Sequence, residues 1–473
     1  MPGGFAEGVA FPRSTSEVAA LVASVYRVLP VGAQSSLTGG ATPRGDLVLS
    51  TRALRHIASP SGNTVRVGAG VPLADLQRAL AASGLYYPPV PTYDGAFVGG
   101  TIATNAAGAA TFKYGSTRPW VEALSVVLAD GSLIDVHRGD VTASPDGWFE
   151  LERPSGDVVR IVIPTYTMPA VAKLSAGYYA RPGMDLVDLF VGSEGTLGIV
   201  VEATLRVIPK PQTCVALVRC ASDGQAVAVT GALRLEAGVS AIEYMDQRAL
   251  AAVPDEAFSR AGVSRSVGTS AMLLVQIEVQ GDQDETLAHL TQILDTCGIE
   301  TDPQVALPGD DRGKTRLFEL REAVPASVNA LVAAVKARVH PGIEKTAGDL
   351  VVPFERLADS LALYRDVFER HGLEYAIWGH VSDGNLHPNV VPRSFEDVAR
   401  GREAILEMAR AVVAMGGAPL AEHGVGRSGL KQQLLRELYG DRGIDEMRAV
   451  KRALDPGWKL SAGVLFPESD QQR

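Results

Sequence analysis

The sequence predicts an α+β protein of two large parts closed by a short helical tail, and three patterns predict it. Up to about Pro211, short β-branched runs (Val48-Leu49, Val65 to Val67, Leu124 to Leu128, Leu133 to Val136, Ile161 to Ile163, Ile199 to Val201) alternate with glycine clusters. Helical patterns are few there, at Ser16 to Tyr26 and at Pro72 to Ser83, where Pro72 suits a first helical turn. Beyond Lys210-Pro211, strand-like runs at Cys214 to Val218, Ala241 to Met245 and Met272 to Val279 are separated by helical patterns at Gly224 to Glu236 and Glu285 to Cys297. That rhythm predicts an antiparallel sheet with helices on one side. After Glu422 the pattern turns helical again, at Lys431 to Tyr439 and Asp445 to Leu454. The expected divisions are therefore residues 1–210, 211–421 and 422–473.

With 473 residues, 46% of them apolar, the chain can bury a large core and is too long for one compact domain. Its net charge of −10 comes without a basic block, which argues against nucleic acid and anionic membrane as partners. No apolar stretch is long enough to span a bilayer, and the start shows no secretory pattern, so a cytoplasmic catalyst is expected. The three cysteines, Cys214, Cys220 and Cys297, match no metal-ligand spacing and are too few for a disulfide framework.

Three glycine-punctuated runs stand out. Leu29 to Gly40 is rich in small and hydroxyl residues, among them Ser35, Ser36 and Thr38. Backbone N–H groups hold a pyrophosphate best where no side chain blocks the approach, and hydroxyls add direct phosphate bonds. No Gly-Lys-Ser/Thr follows, and no Gly-x-Gly-x-x-Gly opens a helix, so neither the Walker loop nor the Rossmann fingerprint is present. Alone, this stretch reads equally well as a surface loop. The second run, Val98 to Gly108 followed by Lys113-Tyr114-Gly115, and the third, Phe190 to Ile199, shift the balance, because together the three could wrap one long, flat, anionic ligand.

A second cluster of chemistry lies further on. Tyr375 to Val381 and Leu386 to Val391 read as strands around Ser382-Asp383-Gly384-Asn385, and Asp-Gly is a preferred pair for a two-residue hairpin turn. With Asp383 and Gly384 as the turn, His380 faces His387, close enough for two imidazoles to share a metal ion, and Asn389 points the same way. Glu422-His423-Gly424 adds a carboxylate and a base at one spot. The remaining histidines (His56, His137, His289, His340, His371) read as packed or solvated side chains.

From Phe11-Pro12-Arg13-Ser14 to Gly463 the order and spacing of these motifs resemble the vanillyl-alcohol oxidase type of FAD-binding protein, and within it the FAD-linked D-lactate, glycolate and D-2-hydroxyglutarate dehydrogenases. The resemblance implies a two-part FAD-binding domain, an antiparallel-sheet substrate cap and a C-terminal helical segment returning to the FAD domain. It implies that Val31, Gly32, Ala33, Gln34, Ser35, Ser36 and Leu37 cradle the pyrophosphate, that Gly99, Gly100, Thr104, Asn105 and Gly108 line a second flavin loop, and that Glu194, Gly195 and Ile199 complete the site. It further implies that His380, His387 and Glu422 bind zinc or manganese, that Asn389 touches substrate, that His423 is the base, and that Arg321, in Leu317 to Glu322, grips a substrate carboxylate. For Arg321 a helix-surface salt bridge is an equal reading of the sequence alone. Lys345 and Lys336 are weaker candidates for a second cation. The chain departs from the family at Leu460 to Val464, where Asn-Pro-Gly-Lys is usual, and it has no histidine in the first loop for covalent attachment, so the FAD is expected to be non-covalent.

The implied reaction is oxidation of a D-2-hydroxy acid to the 2-keto acid, with hydride passing to the flavin and electrons leaving to a quinone, a cytochrome or an electron-transfer flavoprotein. The resemblance leaves room for a homodimer. Three rivals stay open: a flavin-dependent synthase resembling the ether-lipid (alkylglycerone-phosphate) enzyme, a silent FAD subunit of a glycolate oxidase-like complex, and a metallohydrolase using the histidines alone.

Overall fold

In the computed structural model, which describes residues 3–89, 91, 93–265 and 268–468, the N-terminal strands form two larger sheets, beside two small two-stranded ones. The first is three-stranded and parallel, with Arg44–Ser50 between Phe5–Ala10 and Val28–Val31. The second is antiparallel in the order Thr64–Gly68, Ile199–Arg206, Val121–Val127, Leu133–His137. Alternation explains the face each strand buries: along Ile199–Arg206, Ile199, Val201, Ala203 and Leu205 are buried while the residues between them are half-exposed. The helix Thr15–Ser24 is capped by Ser14, whose hydroxyl accepts from the Glu17 amide. The second early helix runs Leu73–Ala81, and Pro72 stands at its N-cap in extended backbone, one position before the expected first turn.

The larger sheet has seven strands in the order Gln304–Ala306, Thr213–Cys220, Ala271–Glu278, Val239–Asp246, Tyr375–His380, Asn385–Val390, Leu350–Val351, each pair antiparallel. Its helices lie on both faces, not on one. Val215 and Leu217 join the cluster that holds Phe258, Leu320 and Val324, whereas Cys214, Ala216 and Val218 join the one that holds Val229, Leu290 and Leu361. The sequence hid this because strands buried on both sides lose the polar alternation that would mark a solvated face.

The tail helix Gly429–Leu454 bends at Gly440, whose φ of 70° breaks the helical run. The chain then returns to the first sheet. Leu460 bridges Val28, and the buried Lys451 ammonium donates to the carbonyls of Thr196 and Leu460 and pairs with Asp455.

Candidate active site

The hairpin differs in register from the expectation. His380 pairs with Asn385, Gly379 with Leu386, and Trp378 with His387, so the turn takes four residues, Val381 to Gly384, and not two. A two-residue turn of this kind needs positive φ at both central positions. Only Gly384 adopts it, at φ 76°, and a Cβ there would drive into the Val352 carbonyl. The slip is of two residues, so every side chain keeps its face. His380 and His387 become diagonal neighbours with ring centres 5.8 Å apart.

Their convergence survives. Oε1 of Glu422 lies 3.3 Å from His380 Nε2 and 3.2 Å from His387 Nε2. Ligands of a tetrahedral ion with bonds of roughly 2.0–2.1 Å stand about 3.3 Å apart, so each imidazole nitrogen stands at ligand-to-ligand distance from Glu422 Oε1. Behind His380, Nδ1 is 2.6 Å from Glu243 Oε1, the carboxylate–imidazole arrangement that orients metal-binding histidines. Burial opposes ionisation of Glu422, but Lys173 and His380 prevail and hold its carboxyl well below the usual range.

A second group overlaps the first. Ligand atoms of Asp349, His387, Glu422 and His423 lie within 4.8 Å of one another. Asp349, however, is already loaded: its Oδ2 accepts from the amides of Glu422 and His423, from Lys431 Nζ and from His423 Nδ1. Those bonds suit it to orienting the imidazole of His423.

Arg321 has another partner than the expected one. Its Nε and Nη2 both donate to Glu243 Oε2, at 3.0 and 2.8 Å, and the pair is buried. The guanidinium therefore backs the carboxylate that holds His380. Glu243 was absent from the expected site, although a lone carboxylate in the apolar run Ala241 to Met245 was the available signal. Asn389 is buried on the same strand as His387; its Nδ2 donates to the His387 carbonyl and its Oδ1 has no hydrogen-bond partner among the described residues. Lys345 sits with its ammonium 5.1 Å from the Trp378 ring centre.

A cleft of about 590 Å³ opens beside this cluster, within the range of roughly 300–1,000 Å³ typical of ligand sites. Gly32, Ala33, Gln34, Ser35, Ser36 and Leu37 form one wall, and Gly100, Thr104 and Glu194 contribute to another. Gly100 has no atom within 4 Å of where a Cβ would stand, so its bareness leaves room in the cleft itself. Pro30 and Ala103, inside the first two glycine runs, also line it, as do Tyr93 and Phe97, which the sequence did not single out because they are aromatic residues without a motif.

The other expected flavin residues do not line the cleft. Val31 and Ile199 are packed into cores, and a Cβ on Gly99 would strike Ala69 Cβ at 2.7 Å. Gly195 lies against Pro30 and Ser461, the amide of Gly108 donates to Thr111 Oγ1, and Asn105 accepts from the Arg118 amide. These residues shape the loops from behind. Glu194 spans both regions, accepting from the amides of Val425 and Gly426; burial nevertheless pushes its carboxyl up to about 7. The cleft is lined by Glu422 and His423 as well, so the two sites share a wall.

A cleft walled by small residues and backbone, on these sheets beside a large antiparallel one, together with matches to two FAD-linked family patterns, defines a flavoprotein oxidoreductase of the vanillyl-alcohol oxidase fold. Solved structures of an alkyldihydroxyacetonephosphate synthase share that fold, one with a TM-score of 0.62 at 16% identity, covering 96% of this chain and 75% of the other. The pattern described as "FAD binding domain" matches residues 6–137, and that of "FAD linked oxidases, C-terminal domain" matches residues 209–465. The chain belongs to the FAD-linked oxidases. It is 31% identical to the glycolate oxidase subunit GlcD of Bacillus subtilis, over 99% of this chain and 90% of that one, and 30% identical to a D-2-hydroxyglutarate dehydrogenase of Xanthomonas citri, over 98% and 89%. A D-lactate dehydrogenase of Anaerostipes hadrus is 27% identical over 96% and 88%. No helix among the described residues is long and apolar enough to cross a membrane.

Proposed function

We propose that this protein oxidises a D-2-hydroxy acid, of the D-2-hydroxyglutarate or D-lactate class, to the 2-keto acid, using FAD and a divalent metal and passing electrons to an external acceptor. One observation carries the reading: Glu422 and His423 belong at once to the wall of the cleft and to the histidine–carboxylate cluster. The names of the relatives support the substrate class.

The three loops would hold FAD through backbone and hydroxyl groups, and His380, His387 and Glu422 would hold zinc or manganese. When bound, FAD is the acceptor of the C2 hydride, and the cation acidifies the hydroxyl it meets. The protein's own part is proton transfer and orientation. Asp349 takes His423 Nδ1, 3.0 Å away, and so leaves Nε2 as the nitrogen that removes the hydroxyl proton. The buried Asn389 Oδ1, without a partner among the described residues, is the acceptor assigned to substrate in this reading. Arg321 acts through Glu243 on His380, and Lys345 is the candidate cation for a distal carboxylate.

The overlapping set gives a second reading, in which His423 is itself a ligand along with Asp349, His387 and Glu422. Metal analysis of His380→Ala and His423→Ala separates the two. On the favoured reading His380→Ala loses the metal, whereas His423→Ala keeps metal and flavin and loses turnover by ~10²–10⁴. The substrate class is tested by anaerobic bleaching of the flavin with glycolate and with D- and L-forms of lactate and 2-hydroxyglutarate. Bleaching by L-isomers alone overturns the assignment.

A further inference from the structure

Lys173 is wholly buried beside the histidine–carboxylate cluster. Its ammonium lies 3.0 Å from Glu422 Oε2, 3.1 Å from Asp383 Oδ2 and 3.5 Å from Asn385 Oδ1. The contacts to Glu422 and Asn385 are hydrogen bonds, and that to Asp383 is a close ion pair. The segment carrying it is pinned from two sides. Asn105 Nδ2 donates to the Leu174 carbonyl and Ser175 Oγ to the Thr104 carbonyl, on the second glycine loop, while the Ser175 amide donates to the Leu420 carbonyl, two residues before Glu422.

The two oxygens of Glu422 thus have separate tasks. Oε1 faces both imidazoles, and Oε2 is held by the ammonium. A carboxylate beside a divalent cation gains by offering both oxygens unless another cation claims one. From this we infer that Lys173 is a positioning residue that makes Glu422 a one-oxygen ligand. The consequence bears on substrate: an α-hydroxy acid that chelates through carboxylate and hydroxyl needs two open positions, and a second carboxylate oxygen would occupy one of them. The inference rests on the metal reading of the site given above.

The test uses the FAD-containing enzyme loaded with zinc, comparing wild type with Lys173→Met and with Lys173→Met/Asp383→Asn. The double variant also neutralises the buried carboxylate that the single one strands. Flavin content, zinc content, the zinc neighbours counted by X-ray absorption, and kcat and KM are measured for each. In both variants flavin and zinc are retained, the zinc gains one oxygen neighbour, and kcat/KM falls about 10–100-fold. An unchanged zinc shell, or wild-type kcat/KM, overturns the role of Lys173. So does loss of zinc or flavin from both variants, which makes the lysine a support of the fold alone. A wild-type enzyme that takes up no zinc or manganese fails earlier, at the proposed function itself.

Discussion

The two halves of the site are built from different materials. The cleft is made of backbone and small side chains in loops, so its shape depends on what is missing, as at Gly100. The histidine–carboxylate cluster is made of large side chains on paired strands and one loop, and all but His387 are fixed by another charged group behind them: His380 by Glu243, Glu243 by Arg321, His423 by Asp349, Glu422 by Lys173. A backbone site fails when something is added to it. A side-chain site fails when something is removed, and the supporting layer is nearly as vulnerable as the groups in front.

The sharpest break comes from His380→Ala/His387→Ala, which removes both imidazoles and leaves the glycine loops untouched. Metal content falls to background and turnover falls by more than ~10⁴, beyond loss of a general base alone, while the flavin absorbance per chain is kept. Loss of flavin in this variant would show that the halves are not separable.

Arg321→Met ranks next, because it strands the buried Glu243 carboxylate. Removing one partner of a buried pair costs roughly 3–5 kcal/mol, so the thermal midpoint drops markedly and His380 loses its support. A raised KM at unchanged stability would instead restore Arg321 to the substrate.

Adjacent glycines sharpen the contrast within the loop. Gly100→Val fills open space and weakens FAD binding about tenfold or more with little change in the flavin-free midpoint. Gly99→Ala meets Ala69 and destabilises the fold by about 1–3 kcal/mol, since overpacking displaces its neighbours. Equal effects of the two would contradict the assignment of one to the cleft and the other to packing.

Glu194→Gln gives the smallest effect, visible in its pH dependence. A carboxyl raised from 4.5 to about 7 binds its proton more tightly in the folded chain, so stability declines as pH rises from about 4.5 towards 7 and is constant above. The span corresponds to about 3–4 kcal/mol as an upper bound. Glutamine cannot titrate, so thermal midpoints of the flavin-free variant should fall less steeply across that window than those of the wild type, the remaining slope coming from groups such as Asp383.

The amino-acid sequence by itself determined the order of elements, the three glycine runs and the identity of His380, His387, Glu422 and His423, because each rests on local spacing or on residue type. Turn register was not settled there: Asp-Gly suits a two-residue turn, whereas the four-residue one is held in place by the Val352 amide donating to the Gly384 carbonyl and by Lys173 beside Asp383. The second layer was hidden for the same reason. Glu243, Asp349 and Lys173 are scattered across the chain, and a buried charge is recognisable by its partners, which only folding brings within reach.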